Sequence, residues 1–308
     1  MPRTTPRPPS TPPPGGDLFP GFRAVRLPTS GTEIHARVGG AGPPVLLLHG
    51  YPETHACWHR VAPVLARGFT VVCPDLRGYG RSGRPPADPD HAAYGKRAMA
   101  RDQVETMAAL GFDRFAVVGH DRGARVAYRL ALDHPERVTR LAVLDIVPTL
   151  ETWRRMDARL ALSTYHWLFL AQPFDLPERL VGGAPEHFLR WTLGSWLAPG
   201  ATLDERAVRE YVRAFADPAV IHATCEDYRA GATIDRALDE QDHGRRLIGC
   251  PLLALWGEAR PGTWAWEPLA VWRAWARDVR GHAVACGHFL PEEAPAEVLA
   301  ALEPFLRE

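Results

Sequence analysis

The run Gly119-His120-Asp121-Arg122-Gly123-Ala124-Arg125 holds the residues best able to do chemistry. An aspartate stands between two glycines at the small-x-nucleophile-x-small spacing. It follows the apolar Phe115-Ala116-Val117-Val118 and precedes a helical-looking stretch, Val126 to His134. Strand, sharp turn and helix in that order make a nucleophile elbow. Glycines suit it because the turn is strained and side chains beside it would collide. A carboxylate is already ionised at neutral pH. It can attack an sp³ carbon and leave an alkyl–enzyme ester that water then cleaves. The chemistry is displacement at carbon rather than the acyl transfer of a serine elbow.

Arg122 and Arg125 follow, three residues apart in the first turn of the helix, so both can face one side. A helix N-terminus favours anions, and guanidinium pairs bidentately with a planar carboxylate. Two such groups make a carboxylate clamp, and their charge should keep Asp121 ionised. The plainer alternative has these arginines on a solvated helix face or paired with Asp102 or Asp133.

An alkyl–aspartyl ester needs a base to hydrolyse it. Among 13 histidines, His288 is the best placed, because Cys286-Gly287-His288-Phe289 follows the last expected strand and precedes the final helix. The base needs an orienting carboxylate. Asp145, among apolar neighbours at the end of the strand after the elbow helix, and Glu258, after Leu255-Trp256-Gly257, both qualify. Backbone N–H groups of Tyr51 and Arg122 are the expected oxyanion donors: one from the loop after an early strand, one from the residue after the nucleophile. His120 is expected to point away along its strand and to be structural.

These residues need a scaffold. Apolar strands are expected at 22–27, 32–38, 44–49, 69–74, 115–118, 139–146, 251–256 and 282–285, with helices near 54–67 and 94–110 and after the later strands. Such alternation implies a mostly parallel sheet with helices on both faces and ligands at the carboxyl ends of the strands. From Pro148 to Arg246 strands vanish and aromatic helical segments take over, which reads as an inserted helical cap. The organisation expected is a proline-rich disordered tail (1–20), an α/β-hydrolase core (21–148 and 247–308) and a cap (149–246). Thirty-six basic residues balance 36 acidic ones in the 308-residue chain, giving no reason to invoke nucleic acid or an anionic membrane. No apolar run reaches spanning length. Five dispersed cysteines without CxxC spacing suggest free thiols in a reducing cytoplasm. Cys286, near His288, is a weaker nucleophile than the elbow offers. The chemistry calls for no cofactor and no metal.

The chain resembles the haloacetate (fluoroacetate) dehalogenases of the α/β-hydrolase superfamily from about residue 22 to 308. The likeness rests on the elbow run, on Leu144-Asp145-Ile146, Tyr165-His166-Trp167 and Cys225-Glu226-Asp227-Tyr228-Arg229-Ala230-Gly231-Ala232, and on Gly287-His288-Phe289-Leu290-Pro291-Glu292-Glu293-Ala294-Pro295. Haloalkane dehalogenases and epoxide hydrolases share the aspartate elbow but typically carry Trp where Arg122 stands. The resemblance implies that Asp121 attacks the α-carbon of a small halogenated carboxylate and that Arg122 and Arg125 hold its carboxylate. His166, Trp167 and Tyr228 would donate to the departing halide, and Asp145 with His288 would activate water to give glycolate. It favours Asp145 over Glu258, and it implies a homodimer. Four departures stand out: Tyr51 in place of the usual Phe, Glu53 in place of the commoner Gln, which puts a negative charge near an anion site, an unusual Glu258–Trp266 loop, and the extra proline-rich tail. The alternatives are an epoxide hydrolase with the same nucleophile, for which Tyr228 is one acid and no second tyrosine is evident, and a noncatalytic small-anion binder.

Overall fold

In a computed structural model describing residues 16–259 and 267–308, the apolar runs become β1 (Arg23–Pro28), β2 (Glu33–Gly39), β3 (Pro44–Leu48), β4 (Thr70–Pro74), β5 (Phe115–His120), β6 (Val138–Leu144), β7 (Leu252–Gly257) and β8 (Val279–Val284). They form one sheet in the order β1-β2-β4-β3-β5-β6-β7-β8. The β1–β2 and β2–β4 pairs are antiparallel; β4, β3, β5, β6, β7 and β8 run parallel. The central β3, β5 and β7 are almost wholly buried, as strands covered on both faces must be.

Several boundaries differ from expectation for local reasons. The helix expected at 54–67 is instead a 3₁₀ turn, His55–Trp58, started by the Thr54 side chain, then a one-turn helix, α1 (Ala62–Leu65). Pro63 has no N–H to give to the carbonyl one turn earlier, so the helix cannot run through. The helix expected at 94–110 is α2 (Lys96–Ala109). The helix after β5, α3, begins at Asp121 itself (Asp121–Asp133). β6 stops at Leu144 because Asp145 takes φ 58°. β8 starts three residues before the expected 282, where Val279-Arg280-Gly281 carries only a weak strand pattern.

Among the described residues, only helices lie between β6 and β7: α4 (Thr149–Arg154), α5 (Ala158–Ser163), α6 (Tyr165–Leu170), α7 (Leu176–Gly182), α8 (Pro185–Trp196), α9 (Glu205–Phe215), α10 (Pro218–Ala232) and α11 (Ile234–Asp242). The chain closes with α12 (Pro268–Arg273), α13 (Leu290–Glu293) and α14 (Pro295–Arg307). Residues 1–15 of the expected tail, and 260–266 of the Glu258–Trp266 loop, lie outside the described residues. The expected tail boundary at residue 20 is too late. Phe19 is buried against Phe22 and His55, and Asp17 pairs with Arg37.

Candidate active site

Sheet register brings the two aspartates together. β5 and β6 pair His120 with Leu144, and β6 and β7 pair Leu144 with Leu255. Asp121 and Asp145 are each the first residue past their strands, so they emerge side by side at the carboxyl edge. Both take left-handed backbone, φ 45° and 58°, a strained conformation for aspartate that clusters at functional sites. Glycine is required around the elbow. A Cβ on Gly123 would lie 2.4 Å from the carbonyl oxygens of Leu48 and His49, and one on Gly50 would lie 2.6 Å from Asp121 Cβ.

Tyr51 N–H donates to Asp121 Oδ1 at 2.9 Å. His288 Nε2 lies 3.8 Å from Asp121 Oδ2, and His288 Nδ1 lies 2.5 Å from Asp145 Oδ2. The second oxygen of Asp145 accepts from Gly257 N–H at 2.8 Å, so its carboxylate is fixed before it orients the ring. Backbone anchors His288 too: its N–H donates to the Trp196 carbonyl at the end of α8, at 2.9 Å. Glu258, the rival acid, is solvent-exposed. Burial alone would push the Asp121 pKa up, but His288, His120, Arg125 and Arg122 outweigh it and hold it at about 2. Cys286 is buried and its thiol is pushed up by burial, which removes it as a nucleophile.

Both arginines point inward; Arg122 is 1% and Arg125 4% exposed. Neither pairs with Asp102 or Asp133, whose carboxylates are taken by Arg77 and by Arg97 and Arg129. Arg122 instead makes a bidentate pair with Asp227 of α10, Nε to Oδ2 at 3.0 Å and Nη2 to Oδ1 at 2.6 Å. Asp227 also accepts from Tyr79 Oη at 2.7 Å and from Lys96 Nζ, which in turn reaches Asp235. Arg125 Nη1 donates to the Val147 carbonyl and Thr149 Oγ1, both at 3.1 Å. Arg122 Nη1 and Arg125 Nε are buried with no hydrogen-bond partner among the described residues. Unsatisfied guanidinium donors are costly unless a ligand meets them.

The aromatic residues of α6 and α10 cover these guanidiniums. Arg122 lies 4.2 Å from the Tyr228 ring centroid, and Arg125 lies 4.4 Å from that of Trp167. His166, Tyr51 and Tyr228 form one cluster, with ring centroids 5.3 to 6.0 Å apart. The Tyr228 and Tyr51 hydroxyls are buried without partners among the described residues, and burial raises both phenol pKa values well above the ordinary range.

Reading the sequence missed Asp227 as the partner of Arg122, and Lys96 behind it. No local feature of the sequence marks that pair, whose members are 105 residues apart. It also misjudged Glu53. That carboxylate accepts from Gly50 N–H at 3.2 Å and from His120 Nδ1 at 2.9 Å, so its charge is met by a histidine rather than aimed at the anion site.

A sequence profile of the α/β-hydrolase fold matches residues 43–295, and the elbow, parallel sheet and Asp–His pair fit that class. Within it, the chain is 44% identical to a fluoroacetate dehalogenase of Burkholderia sp over 94% of this chain and 96% of the relative. It is 34% identical to a soluble epoxide hydrolase of Corynebacterium sp. (strain C12) over 88% and 92%. A solved structure provisionally described as a Pseudomonas aeruginosa epoxide hydrolase, with bound MFA, superposes with TM-score 0.88 at 51% identity over 95% of this chain and 98% of that one. The chain belongs to the haloacetate dehalogenase family of the α/β-hydrolase superfamily.

Proposed function

We propose that this protein hydrolyses a haloacetate to glycolate and halide through an ester on Asp121. The observation that carries the reading is the pairing of an ionised Asp121, one oxygen held by Tyr51 N–H, with two inward guanidiniums that keep unsatisfied donors. A Trp at position 122 would offer one neutral N–H in place of a charged, two-pronged donor.

In the first step the substrate carboxylate docks on Arg122 Nη1 and the Arg125 guanidinium. Asp121 Oδ2 attacks the α-carbon, and the carbon–halogen electron pair leaves as halide. Fluoride is a poor leaving group, so its charge must meet donors already in place. His166, Trp167 and Tyr228 are the set assigned to it. In the second step His288, oriented by Asp145, removes a proton from water. The hydroxide adds to the Asp121 carboxyl carbon, whose oxyanion is held by the N–H groups of Tyr51 and Arg122. Collapse expels glycolate, which takes the proton back from His288, and the proton left on the Asp121 carboxyl group passes to solvent, restoring the carboxylate.

Residues 149–246 act in this reading as a cap over a core of 21–148 and 247–308. The reading includes a cytoplasmic homodimer. Five free cysteines support the compartment. Exposed Phe174, Leu176, Leu180 and Trp191 on or beside α7 and α8 support self-association. Among the described residues no helix is long and apolar enough to cross a membrane. Halide release from fluoroacetate and chloroacetate tests the function; folded protein that releases neither overturns it. One observation favours epoxide opening as a second reading. Tyr51 supplies the partner missing for Tyr228, since both hydroxyls are buried and unpaired among the described residues, with rings 5.3 Å apart. Styrene oxide turnover without halide release would decide for it.

A further inference from the structure

The wall behind Asp121 holds a buried set of titratable groups that the reaction above does not use. His120 is fully buried, and both its ring nitrogens face oxygen: Nδ1 lies 2.9 Å from Glu53 Oε2 and Nε2 lies 2.8 Å from the His288 carbonyl. Both neighbours are acceptors. A neutral imidazole has one N–H and would turn a lone pair on one of them, whereas an imidazolium satisfies both.

Glu53 Oε2 already serves Gly50 and His120, and Glu292 Oε2 accepts from Tyr211 Oη at 3.0 Å. The Oε1 atoms of both glutamates are buried with no donor among the described residues, and the two carboxyl groups meet each other. Two ionised carboxylates in contact away from water repel, and one shared proton turns that repulsion into a hydrogen bond.

We propose that His120 is a fixed imidazolium, that Glu53 and Glu292 share one proton, and that the three together position His288 and the Tyr51 turn against Asp121. The charges balance: one negative on Glu53, one positive on His120, none on Glu292. The placement explains the use. Glu53 closes the turn whose Tyr51 N–H holds Asp121 Oδ1, Glu292 sits on α13 just past the base, and His120 joins the elbow to the base's own carbonyl. His120 is therefore a positioning residue. Its role in catalysis rests on the dehalogenase reading; its protonation state does not.

The titration directions agree. Burial pushes His120 down, but Glu53 and Asp121 raise it to about 9. Burial pushes Glu292 well up, with Glu53 and Asp204 adding to it and Tyr211 opposing. For Glu53 burial is opposed by His120, His288 and His49, and the result is lowered. His59 also faces Glu292, at 4.0 Å.

Nitrogen NMR on histidine-labelled wild-type protein tests this, with His120→Gln assigning the resonance. Both ring nitrogens of His120 should carry a proton at pH 7 and lose one only near pH 9. A singly protonated His120 at pH 7 overturns the proposal. Glu292→Gln imitates the protonated acid, so His120 should stay doubly protonated; its neutralisation there would overturn the shared proton. The Glu53→Gln/Glu292→Gln double variant should bring His120 to one ring proton at pH 7 and lower kcat about tenfold at nearly unchanged KM. An unchanged kcat would overturn the positioning role. Absence of halide release with a doubly protonated His120 would remove the dehalogenase reading alone. Halide release with a singly protonated His120 would remove this inference alone.

Discussion

Asp227→Asn is the perturbation with the best-defined cost. The carboxylate is fully buried and accepts from Tyr79, from Lys96 and twice from Arg122. Asparagine keeps the shape but removes the charge, and it turns an NH₂ group on Lys96 or Arg122, which are themselves donors. Lys96 retains Asp235 at 3.3 Å, so the Arg122 charge is the one left exposed to the dry interior. Breaking one side of a buried pair costs about 3 to 5 kcal/mol. Unfolding entropy of about 2.1 cal/mol/K per residue gives about 0.6 kcal/mol/K for roughly 300 residues, so Tm should fall by about 5 to 8 °C. The pH dependence has a definite sign. Burial opposes ionisation of Asp227, but Arg122 and Lys96 outweigh it and hold the pKa far below the usual range. A depressed acid contributes stability that is present above its unfolded pKa of about 3.9 and lost only as pH falls through the folded value. The gap between wild type and variant should therefore be constant from about pH 5 to pH 8. Differential scanning calorimetry across that range is the assay. A fall of less than about 2 °C would mean that Arg122 is not held by a desolvated ion pair, and the reasoning would fail.

Other perturbations separate the individual roles. His288→Ala should accumulate a carboxymethyl ester on Asp121 with chloroacetate, because attack precedes use of the base; intact-mass analysis showing only unmodified protein after confirmed binding would count against two steps. Arg125→Lys should raise KM for haloacetates about tenfold or more, since a point charge cannot reproduce a fork that Val147 and Thr149 already orient; steady-state kinetics with an unchanged KM would contradict it. Tyr228→Phe removes a hydroxyl that has no partner among the described residues, so Tm should hold, while the fluoroacetate rate falls about tenfold and the bromoacetate rate changes less; equal losses on both halides would remove Tyr228 as a halide donor. Asp121 is depressed to about 2, so its ionised form persists on acidification. The single-turnover halide burst of the wild type should therefore show no loss from nucleophile protonation between about pH 5 and pH 8, and a limb in that window tracing to Asp121 would contradict the charge assignment.

Much of this was legible because sequence pattern and register carry it. Apolar runs bounded by turn residues marked the strands, and the elbow glycines marked the place where β5 must stop and α3 begin. With parallel strands in register, Asp121 and Asp145 had to emerge together, and His288 had to follow the last strand. The long-range polar pairs were not legible. Nothing local in Cys225-Glu226-Asp227-Tyr228 says that Asp227 will meet Arg122, 105 residues earlier, because that contact depends on how α10 lies over the elbow. The Glu53–His120–Glu292 contacts join a turn, the end of β5 and α13, and Glu53 read in isolation looked like a misplaced charge. The helix expected at 54–67 failed for a local reason, the proline at 63.

The central claim is that an oxygen of Asp121, not water, displaces the halide. A single turnover of chloroacetate in heavy-oxygen water, with enzyme in excess, tests it in the wild-type protein. Mass analysis should find the heavy isotope in the peptide containing Asp121 and ordinary oxygen in the glycolate of that first turnover. Heavy oxygen in the glycolate and none in the protein would contradict the account.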